Sequence, residues 1–242
     1  NRQYGGAAIL ATTSAVYSGA GLVSVALAKE NHSALQARLP EAMTLDFDDL
    51  IKLREVAKAA DVIVIGPGLG LERLDLLTEV LNLLTENQKL VIDGSALTLF
   101  AREHLDLPFP ENTVFTPHEM ELERLSGLKI GQQTKEEVQD FVNQLGAIIV
   151  AKSSETRIFA PNRESFILKI GSPAQATGGM GDTLAGMVGG FLAQFHGETE
   201  EVVAAATYLH SLIASVLARK TYVVLPSRLI EEIPLFMKKY EC

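Results

Sequence analysis

The stretch Val62-Ile-Val-Ile-Gly-Pro-Gly-Leu-Gly70 sets the reading of the fold. Four β-branched residues in a row suit a strand buried on both faces, and the glycines and proline that follow turn the chain out of it. Beyond the turn, apolar residues recur at helical spacing over Leu74–Thr85, so strand, glycine turn and helix come in that order. The same alternation runs outward in both directions. Strands are expected at Leu22–Leu27, Val62–Ile65, Leu90–Ile92, Val114–Phe115, Ile148–Ala151, Arg157–Ala160 and Phe166–Lys169. Helices are expected at Ala7–Ser18, Asp49–Ala59, Leu74–Thr85, Ala96–Arg102, Glu119–Ser126, Lys135–Leu145, Asp182–Gln194, Glu200–Ala218 and Ser227–Lys239. This pattern predicts an α/β fold of three layers, a mostly parallel central sheet with helices on both faces. The two closely spaced strands between Thr156 and Lys169 predict an antiparallel hairpin at one end of it. A chain of 242 residues fits one such domain, 1–242, and neither a repeat nor a Pro/Gly-rich linker divides it.

Composition narrows the class of partner. Lys+Arg number 21 against Asp+Glu 30, a net charge of −9, which argues against the dense basic face that nucleic acids and anionic membranes require. With 47% hydrophobic and 21% charged residues, the chain has the usage of a folded protein with a real core. The single cysteine, Cys242, permits neither an internal disulfide nor a cysteine-based zinc site. The apolar run Val202–Ala218 contains His210 and many Ala and Ser residues, so it reads as a buried core helix rather than a membrane span. Glu200 and Glu201 before it and Arg219 and Lys220 after it complement the helix dipole. With no signal peptide at Asn1, a cytoplasmic location is expected.

Glycine is clustered at SGAG (Ser18–Gly21), IGPGLG (Ile65–Gly70), DGS (Asp93–Ser95) and ATGGMGDTLAG (Ala176–Gly186). Glycine turns after strands lie on the carboxyl edge of an open α/β sheet, where ligands bind. In ATGGMGD, Gly178, Gly179 and Gly181 lead into a helix, and bare amides at a positive helix end make a hole for phosphate. Asp182 beside that hole is placed to take a proton from a hydroxyl; the plain alternative is an aspartate that caps the helix. Gly186, Gly189 and Gly190 inside the helix imply that something approaches it closely. IGPGLG has the spacing GxGxG and not the GxGxxG of a dinucleotide fingerprint, so a tight turn explains it equally well. The chain has no Walker A loop, no GxSxG elbow and no HExxH.

Two further segments border strands. In TPHEME, His118 and Glu121 share a helix face three residues apart, although a capping or packed histidine is the default reading. Lys152, at the end of a strand, is suited to meet a phosphate as a point charge, or else is a solvated turn residue. The run DFDD (Asp46–Asp49) reads as a solvated helix entry, since no calcium-loop spacing follows.

These segments occur together, and in this order, in one family. From YGGA (Tyr4–Ala7) through SGAGLV, IGPGLG, TPHEME and KSSET (Lys152–Thr156) to ATGGMGD, the chain resembles the ADP/ATP-dependent NAD(P)H-hydrate dehydratases of the ribokinase-like superfamily. The resemblance implies repair of hydrated, redox-dead NADH or NADPH, the S-epimer, with ADP or ATP driving loss of water and AMP or ADP and phosphate released. It implies that Ala7, Gly70, His118 and Asp182 contact the hydrated nicotinamide, with Asp182 as the base. Lys152, Ser153, Ser154, Glu155 and Thr156, with Gly179, Met180 and Gly181, would hold the adenine nucleotide, and Glu121 would serve a magnesium ion. It also implies a homo-oligomer, a tetramer by analogy, and a first strand upstream of Tyr4, so a longer parent protein is expected.

The sequence departs from the family at two places. Ser153 stands where a glycine usually follows the lysine, and Asp93-Gly94-Ser95 replaces an Asp-Ala-Asp turn. The competing reading is a ribokinase-like kinase of a vitamin or thiazole alcohol, whose nearest members have Asn at the position of His118. A nucleotide-binding regulatory module without turnover leaves Asp182 unexplained.

Overall fold

The computed structural model describes residues 1–240; Cys242 lies outside them. Within these residues the chain forms a six-stranded sheet in the order β3-β4-β5-β6-β7-β8 and a two-stranded parallel sheet of β1 (Ser24–Leu27) and β2 (Met43–Asp46). The strands β3 (Val62–Ile65), β4 (Lys89–Ile92), β5 (Thr113–Phe115) and β6 (Ile148–Ala151) pair in parallel. β7 (Arg157–Phe159) and β8 (Phe166–Ile167) add antiparallel at the edge, as the close spacing of those strands predicts.

Side chains that alternate along each central strand feed two different cores. Val91, Val114, Ile148, Val150 and Ile158 point to one face, where they meet α8 (Met180–Gln194), α9 (Thr199–Ala218) and α10 (Pro226–Tyr240). Leu90, Ile92, Phe115, Ile149 and Phe159 point to the other. There they meet α4 (Leu74–Leu83), α5 (Gly94–Arg102), α6 (Glu119–Ser126) and α7 (Lys135–Leu145). The three-layer expectation therefore holds. α9 is apolar and long enough to cross a membrane by length and composition, yet Val203, Ala206, Ile213 and Ala214 lie in the core, as expected of its sequence.

Two elements escaped the sequence reading, β2 and α2 (His32–Arg38), both short and partly polar. Around DFDD, Asp46 closes β2, and Asp49 caps α3 (Leu50–Ala59) by accepting from the Lys52 amide at 3.0 Å.

What approaches α8 is α1 (Gly5–Tyr17), which runs along it backbone to backbone. A Cβ on Gly186 would fall on the carbonyl oxygen of Ala11, and one on Gly190 would stand 2.8 Å from the Ser18 Cβ. Gly189 gives the same room to Val64 of β3. Buried Ser14 of α1 donates to the Thr183 carbonyl at 2.7 Å, tying α1 to the first turn of α8. SGAG ends α1 at the opposite end of this pair, where Gly19 faces Gln194, the last residue of α8. In that cluster Gly19 serves packing, whereas a Cβ on Gly21 would meet nothing within 4 Å.

Gly186→Ala should destabilise the protein by about 1–3 kcal/mol through overpacking, in spite of the better helix propensity of alanine. Gly6→Ala, where a Cβ meets nothing within 4 Å, should be neutral or mildly stabilising. Denaturant titration of both variants checks this; equal stabilities would mean that α1 and α8 do not depend on the contact.

Candidate active site

The parallel strands end on one edge, and three side chains leave them there at matching heights. Asp93 follows β4, Thr116 follows β5 and Lys152 follows β6. The edge is held in register by the Thr116 amide on the Ile92 carbonyl (3.2 Å) and the Lys152 amide on the Pro117 carbonyl (2.8 Å). Asp93 and Thr116 are buried, and the Asp93 Oδ1 accepts from the Thr116 hydroxyl at 2.6 Å and from the Lys152 ammonium at 2.9 Å.

Above this edge lies the mouth of α8. Gly179 precedes the helix with φ of 91°, a left-handed conformation that favours glycine, and its missing Cβ also makes room for Leu10. Met180, Gly181 and Asp182 form the first turn, so Asp182 is the third helical residue and does not cap. A Cβ on Gly181 would lie 3.2 Å from the Lys152 Nζ, which places the ammonium over the helix mouth. Of the two readings of Lys152, the solvated turn residue is therefore the wrong one: its side chain is only 20% exposed.

The charges in this space act on one another. Burial disfavours the Lys152 ammonium, but Asp93, Glu121 and Asp182 together outweigh burial and hold its pKa above the ordinary lysine value. Burial, then the Asp93 carboxylate and more weakly Glu121, push Asp182 up to about 6, against the pull of Lys152. His210 of α9 is buried and held neutral, its pKa pushed down to about 4 by burial.

His118 caps α6. Its Nδ1 accepts from the Met120 and Glu121 amides at 3.2 and 3.3 Å, while Glu121 Oε2 accepts from the His118 amide at 2.9 Å. The default capping reading is correct, yet the imidazole stays half-exposed, 3.6 Å from Glu121. Glu121 itself is buried and lines a cleft of about 490 Å³ together with Gly70, Gly94, Ser95 and Thr98. Ala7 sits in the first turn of α1, close over the Gly68 turn. The glycines of IGPGLG serve the chain as well as the cleft: Gly66, with φ of 124°, lies under the Asp93 carbonyl.

On the other side, Lys152, Ser153, Ser154 and Glu155 line a cavity of about 550 Å³. The turn is stiffened by the Glu155 amide on the Ser153 hydroxyl (3.1 Å) and by the Thr156 hydroxyl on the Ser153 carbonyl (3.2 Å). Among the described residues, no group of three or more His, Cys, Asp or Glu side chains stands ready to hold a metal ion. A hard carboxylate is present at Glu121, which suits a cation held mainly by phosphates and water.

The family model for NAD(P)H-hydrate dehydratase matches residues 1–235. An ADP-dependent (S)-NAD(P)H-hydrate dehydratase of Lactococcus lactis subsp. lactis is 99% identical over 242 residues, all of this chain and 88% of the relative. Its namesake from Enterococcus faecalis is 50% identical over 242 residues, 99% of this chain and 82% of the relative. Among solved structures, a ribokinase-like superfamily protein from Enterococcus faecalis superposes with a TM-score of 0.97 at 50% identity, covering 99% of this chain and 84% of that one. The Bacillus subtilis ADP/ATP-dependent NAD(P)H-hydrate dehydratase, co-crystallised with ATP/Mg2+, superposes with a TM-score of 0.83 at 26% identity, over 98% and 86%. Sequence and fold agree that the chain belongs to the NAD(P)H-hydrate dehydratase family and has its ribokinase-like fold.

Proposed function

We propose that this protein removes water from the S-epimer of hydrated NADH or NADPH at the expense of ADP, with ATP as the alternative phosphoryl donor, and that residues 1–242 act as one catalytic domain. Family membership gives the reaction class. The single observation that favours the chemistry is Asp182, a carboxylate with a raised pKa in the first turn of α8, electrostatically coupled to an ammonium at the same helix mouth.

Hydroxide is a poor leaving group, so the ring hydroxyl is first made into a phosphate ester. The hydroxyl oxygen attacks the terminal phosphorus of ADP, its proton passes to Asp182, and AMP leaves. The ester C–O bond then breaks as the ring nitrogen lone pair forms a C=N bond. Loss of a proton from the neighbouring carbon restores the dihydropyridine. Charge developing on the phosphoryl oxygens is met by the amides of Gly179 and Gly181 and by Lys152, whereas the Met180 amide is taken by the Thr177 carbonyl. Ser153, Ser154, Glu155 and Thr156 would hold the rest of the nucleotide, and Ala7, Gly70 and His118 the hydrated nicotinamide.

With all groups ionised, Lys152 carries one positive charge against three negative ones on Asp93, Glu121 and Asp182, so a polyphosphate would meet a net −2. A magnesium ion entering on the phosphates would offset this charge and act as a Lewis acid, with Glu121 as the protein carboxylate that would serve it. We further place the reaction in the cytoplasm and in a homo-oligomer, with a tetramer favoured.

Incubation with hydrated NADH, ADP and magnesium should restore the absorbance of the reduced nicotinamide. No recovery with ADP or ATP, together with phosphorylation of a vitamin alcohol, would establish the kinase reading instead. Asp182→Asn should lower turnover by about a hundredfold or more while leaving nucleotide affinity largely intact, because only the proton acceptor is lost. Full turnover in this variant would remove Asp182 from the mechanism. As the base works only when ionised, kcat/KM should fall as pH drops through about 6 and level off above it. A flat kcat/KM profile from pH 5 to 8 would contradict that role.

A further inference from the structure

We propose that Asp93 is a positioning residue for the nucleotide: it pins the Lys152 ammonium across the mouth of α8, so that the charge that meets the phosphates is fixed before they arrive. The inference rests on the reading of the site given above. Asp93 is 3% exposed and Thr116 is fully buried, so the carboxylate oxygen that takes Lys152 is itself held by a hydroxyl from the neighbouring strand end. On the far side of the ammonium is the bare backbone of Gly181, 3.2 Å from Nζ to where a Cβ would be. A lysine head on a flexible four-carbon stem is thereby confined between a buried carboxylate and a helix end. Confinement before binding removes an ordering cost that the nucleotide would otherwise bear.

Stability does not account for the pair. A buried ion pair gains little over well-packed apolar residues, because desolvation offsets the attraction. What apolar residues cannot supply is a fixed ammonium at the one place where the helix amides converge.

Asp93 has a second effect that separates it from a merely structural residue. After burial, its charge is the largest influence raising Asp182. The other charged groups acting on Asp182 are Lys152 and Glu121. Of the helices packed on α8, α1 carries only Tyr17, at its far end, and α9 brings the buried neutral His210, Tyr208 and, in its first turn, Glu200 and Glu201. On α10, Arg228 pairs with Glu231 at 2.9 Å, which leaves Glu232, Lys238 and Lys239 as its other charges.

The test is steady-state kinetics at saturating magnesium together with calorimetric titration of ADP. Asp93→Asn should raise the KM and Kd for ADP roughly tenfold or more, the scale of a lost charge-assisted hydrogen bond, and should move the acid limb of kcat/KM to lower pH. Thr116→Val keeps the Asp93 charge, so it should raise the KM for ADP less and leave the acid limb in place. Asp93→Asn combined with Lys152→Met should bind ADP no more weakly than Lys152→Met alone, because Asp93 acts through Lys152. Wild-type KM and an unmoved acid limb in Asp93→Asn, or additive losses in the double variant, would overturn the proposal. If Asp93→Asn does not fold, an unchanged affinity for ADP in Thr116→Val overturns it. A wild-type protein that binds ADP but repairs no hydrate refutes the dehydratase reading, while the calorimetric arm still decides the role of Asp93.

Discussion

Where a side chain on Gly186 would begin, the carbonyl oxygen of Ala11 already stands. α8 could not lie where it does if that position carried a Cβ, and the site would move with it. Gly186, Gly189 and Gly190 in the interior of α8 cost about 1 kcal/mol each relative to alanine. The return is that α1 and β3 approach α8 closely and its first turn is carried to the end of the parallel sheet. Ser14 then fixes that turn by donating to the Thr183 carbonyl. The position of Asp182 relative to Lys152 is therefore set by the packing of α8 on α1 and β3 as well as by the strand ends.

The electrostatics follow from that placement. A protein of net charge −9 has no general attraction for polyanions, so any phosphate site must be local. The sheet contributes one ammonium from its carboxyl edge and the helix contributes amides. The three carboxylates around the ammonium have opposed effects: they keep Lys152 protonated against burial, and two of them raise Asp182 toward neutral pH. One cluster thus keeps the lysine charged and brings the aspartate closer to neutral pH. Separating the two would require moving Asp93, which acts on both.

Most of the fold and the outer members of the site were legible in the sequence. Strands buried on both faces announce themselves as apolar runs, and β3 and β6 match their expected bounds. β2 escaped because Met-Thr-Leu-Asp pairs only with β1 in a separate two-stranded sheet and buries just Leu45 fully. GGMGD was legible because several glycines before a helix are costly without a reason. Asp93 was seen only as part of a glycine turn, and Thr116 only as the start of TPHEME. Neither belongs to a spaced motif, since they lie 23 residues apart and meet only through the parallel pairing of β4 and β5. The available signal was positional: both follow directly on a predicted strand, as Lys152 does, and strand ends on one edge of a parallel sheet are neighbours.

The same positional logic places the capping pair His118 and Glu121 beside the candidate site. A capping box satisfies the free amides of α6 with the imidazole and returns the Glu121 carboxylate to the His118 amide. That exchange fixes Glu121 in a buried position facing the cleft beside Gly70, while the imidazole remains half-exposed beside it. The parallel bridge between His118 and Lys152 holds α6 to the strand end that supplies the ammonium. The imidazole is the acceptor for the Met120 and Glu121 amides, whereas Glu121 is held by the His118 backbone amide, so the ring caps the helix and the backbone fixes the carboxylate that faces the cleft.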